Sequence, residues 1–320
     1  MAPRKKTEDS AKTPAAPKAA APKAPKRAAP KKAPAKAAPV AAAVAKKPAP
    51  ARTVRKVATP DRIAIIGGLR SPFARAWSSL NEVDPVELST QVARELLFKL
   101  DMDPRMVDEI IWGTVISVVL APNVAREVAL NLDMYSVPGF TVSRACATGF
   151  QAVASAAQLI GAGQADIVLA GGVDVTSHAP VVHKKKVIDL LLKAQKAKGM
   201  ALVQTIAKLN PLDLLPTPPA LTERYTGLTM GQHAELMAQY FDIPREEQEA
   251  LAITSHDRAH KATSEGWIAN EKMAIHTPKG VAEEDNLIRS GMDASSLAKL
   301  RPVFDRKNGT ITAATSSPLT

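Results

Sequence analysis

Cysteine is nearly absent: Cys146 is the single one among 320 residues. An internal disulfide is therefore excluded, and the chain suits a reducing compartment such as the cytoplasm. No apolar run is long enough to span a bilayer, and no signal-peptide core is present. Acidic residues are scarce in one region only. Residues 1–60 hold 16 Lys+Arg against the acids Glu8 and Asp9, whereas residues 61–320 hold 26 Lys+Arg against 29 Asp+Glu. The net charge of +11 therefore belongs to the first stretch. The remainder carries no compositional sign of specific nucleic-acid binding.

That first stretch repeats Ala, Pro and Lys (KAAAPKAPKRAAPKKAPAKAAP) and has no aromatic residue up to position 58. It has too little apolar surface to offset its ordering entropy, so residues 1–58 are expected to be a disordered basic tail. Two roles stay open: a solvated spacer, or a polycation that loosely binds nucleic acid or an anionic surface, the latter making the protein membrane-peripheral. A transit peptide is a further alternative, disfavoured because the stretch has no Arg/Ser-rich amphipathic helix.

From residue 59 the pattern changes. IAIIGG (63–68) reads as a buried strand ended by glycines. Asp84 before Pro85 predicts an N-cap and a first-turn proline, followed by a helix with an apolar face. Further strands are predicted over 107–117, 139–145 and 165–175, with helices over 123–132 and 146–162 between them. Such alternation implies an α/β fold, a sheet layered with helices. The last of these helices (CATGFQAVASAAQLIGAG) is rich in Ala, Gly and Ser on every side. It therefore reads as an interior helix that carries Cys146 deep into the molecule.

After Ser177 the alternation breaks. Residues 178–300 read as an inserted, mainly helical region, with residues 301–320 as the final segment of the α/β part. IDLLLKAQKAKGMALVQTIAKL (188–209) predicts an amphipathic helix pair, either packed on the body or facing a membrane or partner. MGQHAELMAQYF and IPREEQEALAITSHDRAHKATSEG are both helical by spacing, the second with Pro244 at its start and Gly266 at its stop. Strand character returns only at GTITAA (309–314).

Cys146 has two readings. By residue type alone it is a buried, inert thiol. By position it stands where a strand gives way to a helix. There, unsatisfied amides and the helix dipole favour a thiolate and can hold a developing oxyanion. Arg144 adds positive potential unless strand alternation turns it elsewhere.

The motifs decide between them. SRACATGFQAV resembles the active-site signature of the thiolases, in which the cysteine takes up an acyl group. LRSPFAR (69–75) resembles the opening segment of that family, and LAGGVDVTSHAP (169–180), LTMGQHAELMAQYF (228–241), IPREEQEALAITSHDRAHKA and VFDRKNGTITAATSSPLT resemble its later segments, in the same order. The resemblance runs from residue 62 to 320 and is strongest to the thiolase (β) subunits of fatty-acid β-oxidation complexes. It implies a thiolase-like layered sheet with a loop domain, and Cys146 as the acyl-accepting nucleophile with its own N–H in an oxyanion hole. It also implies Met230 against the pantetheine and acyl region, and Thr315 where many members carry an asparagine that holds a water. Arg224 and Lys184 to Lys186 are charge-based candidates for the coenzyme A phosphates. Ser143 and Thr148 stand where many thiolases have Asn and Ser, and read as subtype variation.

The implied reaction is thiolysis of a 3-oxoacyl-CoA to acyl-CoA and acetyl-CoA, or the reverse Claisen condensation. Coenzyme A is a substrate; no permanent cofactor and no metal is implied. Implied partners are a second copy, paired through the sheet edge, and a hydratase/dehydrogenase α-subunit. The family's second half supplies a GHP histidine and a CxGGG-like cysteine, and neither motif occurs here. The six histidines (His178, His183, His233, His256, His260, His276) match no family base. The expectation is therefore an N-terminal portion that does not turn over alone. Two rival readings are a ketoacyl-synthase-like condensing enzyme, and a non-catalytic scaffold with a polycationic tail.

Overall fold

The computed structural model describes residues 62–216 and 222–320. The expected disordered tail, residues 1–58, lies outside the described residues.

Local chemistry starts the first helices. The Asp84 carboxylate accepts hydrogen bonds from the amides of Val86 and Glu87 and caps α1 (Pro85–Lys99), with Pro85 in its first turn. Strand β1 (Glu109–Gly113) follows. Asn123 caps α2 (Val124–Asn131) by accepting from the amide of Arg126. Then come β2 (Gly139–Val142), α3 (Thr148–Gly161) and β3 (Val168–Gly172). The three strands form one parallel sheet in the order β2-β1-β3. Parallel neighbours require crossover connections, and α2 and α3 supply them.

Side-chain alternation along the central strand builds two cores. Ile110 and Trp112 face α1 and α2, packing with Ala93, Leu97, Val124 and Val128. Ile111 points the other way and packs with Ala152 and Ala156 of α3. Ile110 and Ile111 are both 0% exposed, as a strand covered on two faces requires. The Trp112 ring lies across Gly171 of β3, where an added Cβ would come within 2.6 Å of the ring. Its indole N–H donates to Ser89 Oγ at 3.0 Å, and that hydroxyl donates on to the carbonyl of Pro85.

Beyond β3 lie α4 (Lys185–Lys196) and α5 (Met200–Ile206), which pack as the expected pair. Val187 anchors α4, while Leu192 and Val203 are more than half exposed. Next are α6 (Met230–Tyr240), α7 (Arg245–Ser264) and the short α8 (Ala294–Leu297). Between α7 and α8, β4 (Ile275–Thr277) and β5 (Gly280–Ala282) form an antiparallel hairpin that the sequence reading missed. The signal was Thr277-Pro278-Lys279-Gly280, a turn closed by a glycine at φ 131°.

Three expectations need correction. Residues 63–68 are not a strand, and Ile65 is 84% exposed. Residues 309–314 are not a strand either, although Ile311 and Thr312 are buried. Both runs have strand-like side chains, but a strand also needs a neighbour's amides and carbonyls, and neither run pairs with the edge of β3. Finally, α3 is covered on one face only. Ala152 and Ala156 meet the sheet, whereas Phe150 is 85% and Val153 45% exposed. Small side chains let the helix lie close to the strands; among the described residues only the sheet packs against it in strength.

Candidate active site

Cys146 lies in the five-residue turn between Val142, the end of β2, and Thr148, the start of α3. It is exposed, not deep as the small-residue helix suggested. The reason is the same open face of α3. Position Ala147 caps the helix without any side-chain hydrogen bond, so the first-turn amides are left to other acceptors.

The turn itself is tightly bonded. Ala145 has φ 45°, in the left-handed region that non-glycine residues seldom enter. Thr148, 5% exposed, holds that conformation from below. Its Oγ1 accepts from the Arg144 amide at 2.7 Å and donates to the Ala145 carbonyl at 2.6 Å. The Ala147 amide donates to the Arg144 carbonyl and the Thr148 amide to the Ala145 carbonyl, both at 3.1 Å. The Arg144 guanidinium bonds the side chain of Gln151, one turn along α3, so its charge lies over the helix.

Gly113 makes room for this arrangement. A Cβ on Gly113 would stand 2.4 Å from the Thr148 Cγ2 methyl. Beside it, the Thr114 amide donates to the Val142 carbonyl, tying the end of β1 to the end of β2. The loop after β1 is in turn held by Asp174, which accepts from the amides of Val115 and Ile116 at 2.9 and 2.7 Å. Burial pushes the Asp174 carboxyl up, against the pull of those two amides.

The other predicted residues lie in two further groups. Met230 opens α6, whose Thr229 and Gln232 form a reciprocal capping box, and it is 56% exposed. Glu235, on the same helix and 3% exposed, accepts from the amides of Thr310 and Ile311 at 2.7 and 3.1 Å. That carboxylate brings the Met230 helix and the Thr315 segment together. Thr315 Oγ1 accepts from the Thr312 amide at 2.9 Å and donates to the Thr312 carbonyl. Arg224 is exposed, in a turn where Glu223 accepts from the amides of Tyr225 and Thr226. Lys184 and Lys186 both bind Asp213, at 2.9 and 3.4 Å, and Lys185 binds Asp189. These hydrogen bonds, from Lys184 foremost, hold the Asp213 carboxyl below the ordinary carboxylate range.

Among the described residues no hydrogen bond or ion pair joins Cys146 to Met230, Arg224, Lys184 or Thr315. Nor, among the described residues, is a histidine hydrogen-bonded to it. His178 meets the Asn81 carbonyl, His233 the Thr226 hydroxyl, and His256 accepts from the Arg289 amide. A cavity of 390 Å³ lies between residues 67–76 and the end of β3, and Cys146 is not in its lining. Sequence reasoning missed Thr148, Gly113 and Glu235 as parts of the site's frame. Only the hydroxyl two residues after the cysteine was visible, and it read as variation.

Comparison with known proteins supplies the family. Residues 63–320 match the model of the thiolase N-terminal domain. The chain is 43% identical over 274 residues to a 3-ketoacyl-CoA thiolase of Colwellia psychrerythraea, covering 84% of this chain and 63% of that protein. It is 44% identical over 264 residues to one from Aeromonas salmonicida, covering 81% and 61%. Among solved structures it resembles the acetyl-CoA acetyltransferase of Bacillus anthracis, with TM-score 0.66 and 30% identity over 78% of this chain and 61% of that one. The chain thus spans somewhat over three-fifths of the length of the curated relatives it matches. The signature around Cys146, the parallel sheet and these likenesses agree, and the chain belongs to the thiolase family through its N-terminal domain.

Proposed function

We propose that the protein takes part in thiolysis of 3-oxoacyl-CoA, with Cys146 as the acyl acceptor. The observation that carries this is an exposed thiol at the mouth of α3, inside the stretch that resembles the family's active-site signature. In the forward reaction the Cys146 thiolate attacks the 3-oxo carbon, and the bond between C2 and C3 breaks. The shortened acyl group remains on sulfur as a thioester, while the two-carbon fragment takes a proton and leaves as acetyl-CoA. A second coenzyme A, as thiolate, attacks that thioester, giving acyl-CoA and free Cys146. Condensation is the same path reversed.

Within this chain we assign oxyanion stabilisation to the Cys146 amide at the front of α3. Thr315 keeps a lone pair for a water's hydrogen, and a water held so has its second hydrogen free for an oxyanion. Met230, exposed at the start of α6, offers a thioether and methylene surface to pantetheine. Lys184 and Arg224 are the cations offered to coenzyme A phosphates, Lys184 at the expense of its Asp213 pairing. Proton transfer on the two-carbon fragment needs a base, and among the described residues no histidine is hydrogen-bonded to Cys146. Fatty-acid β-oxidation in the cytoplasm, a second copy at the sheet edge and a hydratase/dehydrogenase subunit complete the proposal. No helix among the described residues is long and apolar enough to cross a membrane.

Exposure of the protein to acetyl-CoA, followed by mass spectrometry of the Cys146 peptide, tests the proposal. The expected result is an acetyl thioester on Cys146, released by added coenzyme A and absent in Cys146→Ser. A scaffold would carry none, and that outcome refutes the assignment.

A further inference from the structure

We infer that Thr148 is the positioning residue for Cys146, its hydroxyl clamping the turn that presents the thiol to the amides of α3. The inference rests on the proposed role of Cys146 as acyl acceptor and adds to it the group that sets the sulfur's place.

A side chain that merely fills space needs no donor and no acceptor, yet Thr148 uses both. One oxygen receives the Arg144 N–H at 2.7 Å and gives its hydrogen to the Ala145 carbonyl at 2.6 Å. Those two groups flank the peptide that leads into Ala145, the residue at φ 45°. A backbone held in that region persists where its surroundings over-determine it. Here the Ala147 and Thr148 amides brace the turn through the Arg144 and Ala145 carbonyls, and the hydroxyl of Thr148, a residue 5% exposed, adds the only side-chain hydrogen bonds to it among the described residues. Cys146 is the next residue, and Ala147 and Thr148 follow directly into the helix. The sulfur's direction relative to the helix amides is therefore set by the same clamp.

The methyl of Thr148 is fixed independently. It lies over Gly113, so close that an added Cβ there would stand 2.4 Å away. Gly113 is the last residue of the central strand and pairs in register with Val142 and Gly172. The clamp is thus anchored to a buried residue at the end of the central strand, while the thiol it aims is exposed. A rigid foot and an accessible tip are what a positioning residue requires.

The test uses the whole 320-residue chain and four variants: T148V, T148S, G113A and the control C146S. Valine keeps the shape and loses both hydrogen bonds; serine keeps both bonds and loses the methyl; alanine at Gly113 displaces the side chain from a distance. Two rates are read at Cys146, alkylation by iodoacetamide and acetylation by acetyl-CoA, with circular dichroism confirming that each variant folds. We expect T148V and G113A to acetylate about tenfold or more slowly, and to alkylate about threefold or more slowly. T148S should remain within about twofold of wild type in both assays, and all differences should vanish in denaturant. If T148V matches wild type in both assays, or T148S is as slow as T148V, the hydroxyl does not position the thiol and the inference fails. If wild type alkylates but never acetylates, the thiolase reading fails instead. The alkylation series then still decides the role of Thr148.

Discussion

The Asp285 carboxylate takes both arms of the Arg70 guanidinium, at 2.9 and 3.1 Å, and also accepts from the Phe73 amide at 2.7 Å. This joins the LRSPFAR segment to the stretch after the β4–β5 hairpin, 215 residues later. Burial alone would raise the Asp285 carboxyl. The Arg70 hydrogen bonds, the Phe73 amide and the nearby charges of Arg70 and Lys272 outweigh it and hold the group below the usual range. A carboxyl depressed in the folded state stabilises the fold above its unfolded value, near pH 4, and loses that contribution as pH falls through the lower folded value. Asp285→Asn should cost about 2 kcal/mol at pH 7, the scale of hydrogen bonds to a charged group in a partly buried pair. Urea titrations should show the gap between wild type and variant closing from about pH 5 downward. A gap that stays constant to the acid limit would contradict the ion-pair account.

Glu235 makes a second long-range tie. Its two oxygens receive the Thr310 amide and hydroxyl and the Ile311 amide. In Glu235→Gln one oxygen becomes an NH₂ that faces a donor, so a hydrogen bond is replaced by a clash of donors. We expect a loss of about 2–3 kcal/mol in chemical denaturation. Limited proteolysis near residues 303–312 should speed up together with it.

Gly231, the second residue of α6, lies under the Phe304 ring, and an added Cβ would reach within 1.9 Å of the ring's Cζ. Gly231→Ala should therefore destabilise by about 1–3 kcal/mol through overpacking. Phe304→Leu combined with it should recover part of that loss. A double-mutant cycle with no coupling would show that the two residues do not meet.

Ser89 tests the Trp112 side of the sheet. Trp77 and Trp267 are 69% and 66% exposed, so blue-shifted fluorescence belongs to Trp112. Ser89→Ala leaves the indole N–H without its acceptor in a buried site. The variant should lose about 1–3 kcal/mol and its blue-shifted component should move to longer wavelength.

Caps and buried strands were legible in the sequence because they are decided locally. Asp84 and Asn123 announce α1 and α2 by side chains that reach only two or three residues. The apolar runs of β1 and β3 end on glycines that turn out to be packing sites, Gly113 under Thr148 and Gly171 under Trp112. Residues 63–68 and 309–314 carry the same local signals and still form no strand, since pairing is decided by distant backbone. For Cys146, the sequence placed the motif where a strand gives way to a helix, and the structure has it in the turn between β2 and α3. Its exposure was not legible, because composition does not say which face of α3 is covered. The Arg70–Asp285 and Glu235–Thr310 ties were invisible for the same reason: nothing near either partner names the other.

Val142, Gly113 and Gly172 stand side by side as the last rung of the parallel ladder. All three strands consequently deliver their outgoing loops to one rim, the place where open parallel sheets gather ligands. Rim and sheet can then change on separate schedules. Variation in the loops after Gly113, Val142 and Gly172 can retune what the thiol meets, while Ile110, Ile111 and Trp112 go on holding the scaffold unchanged.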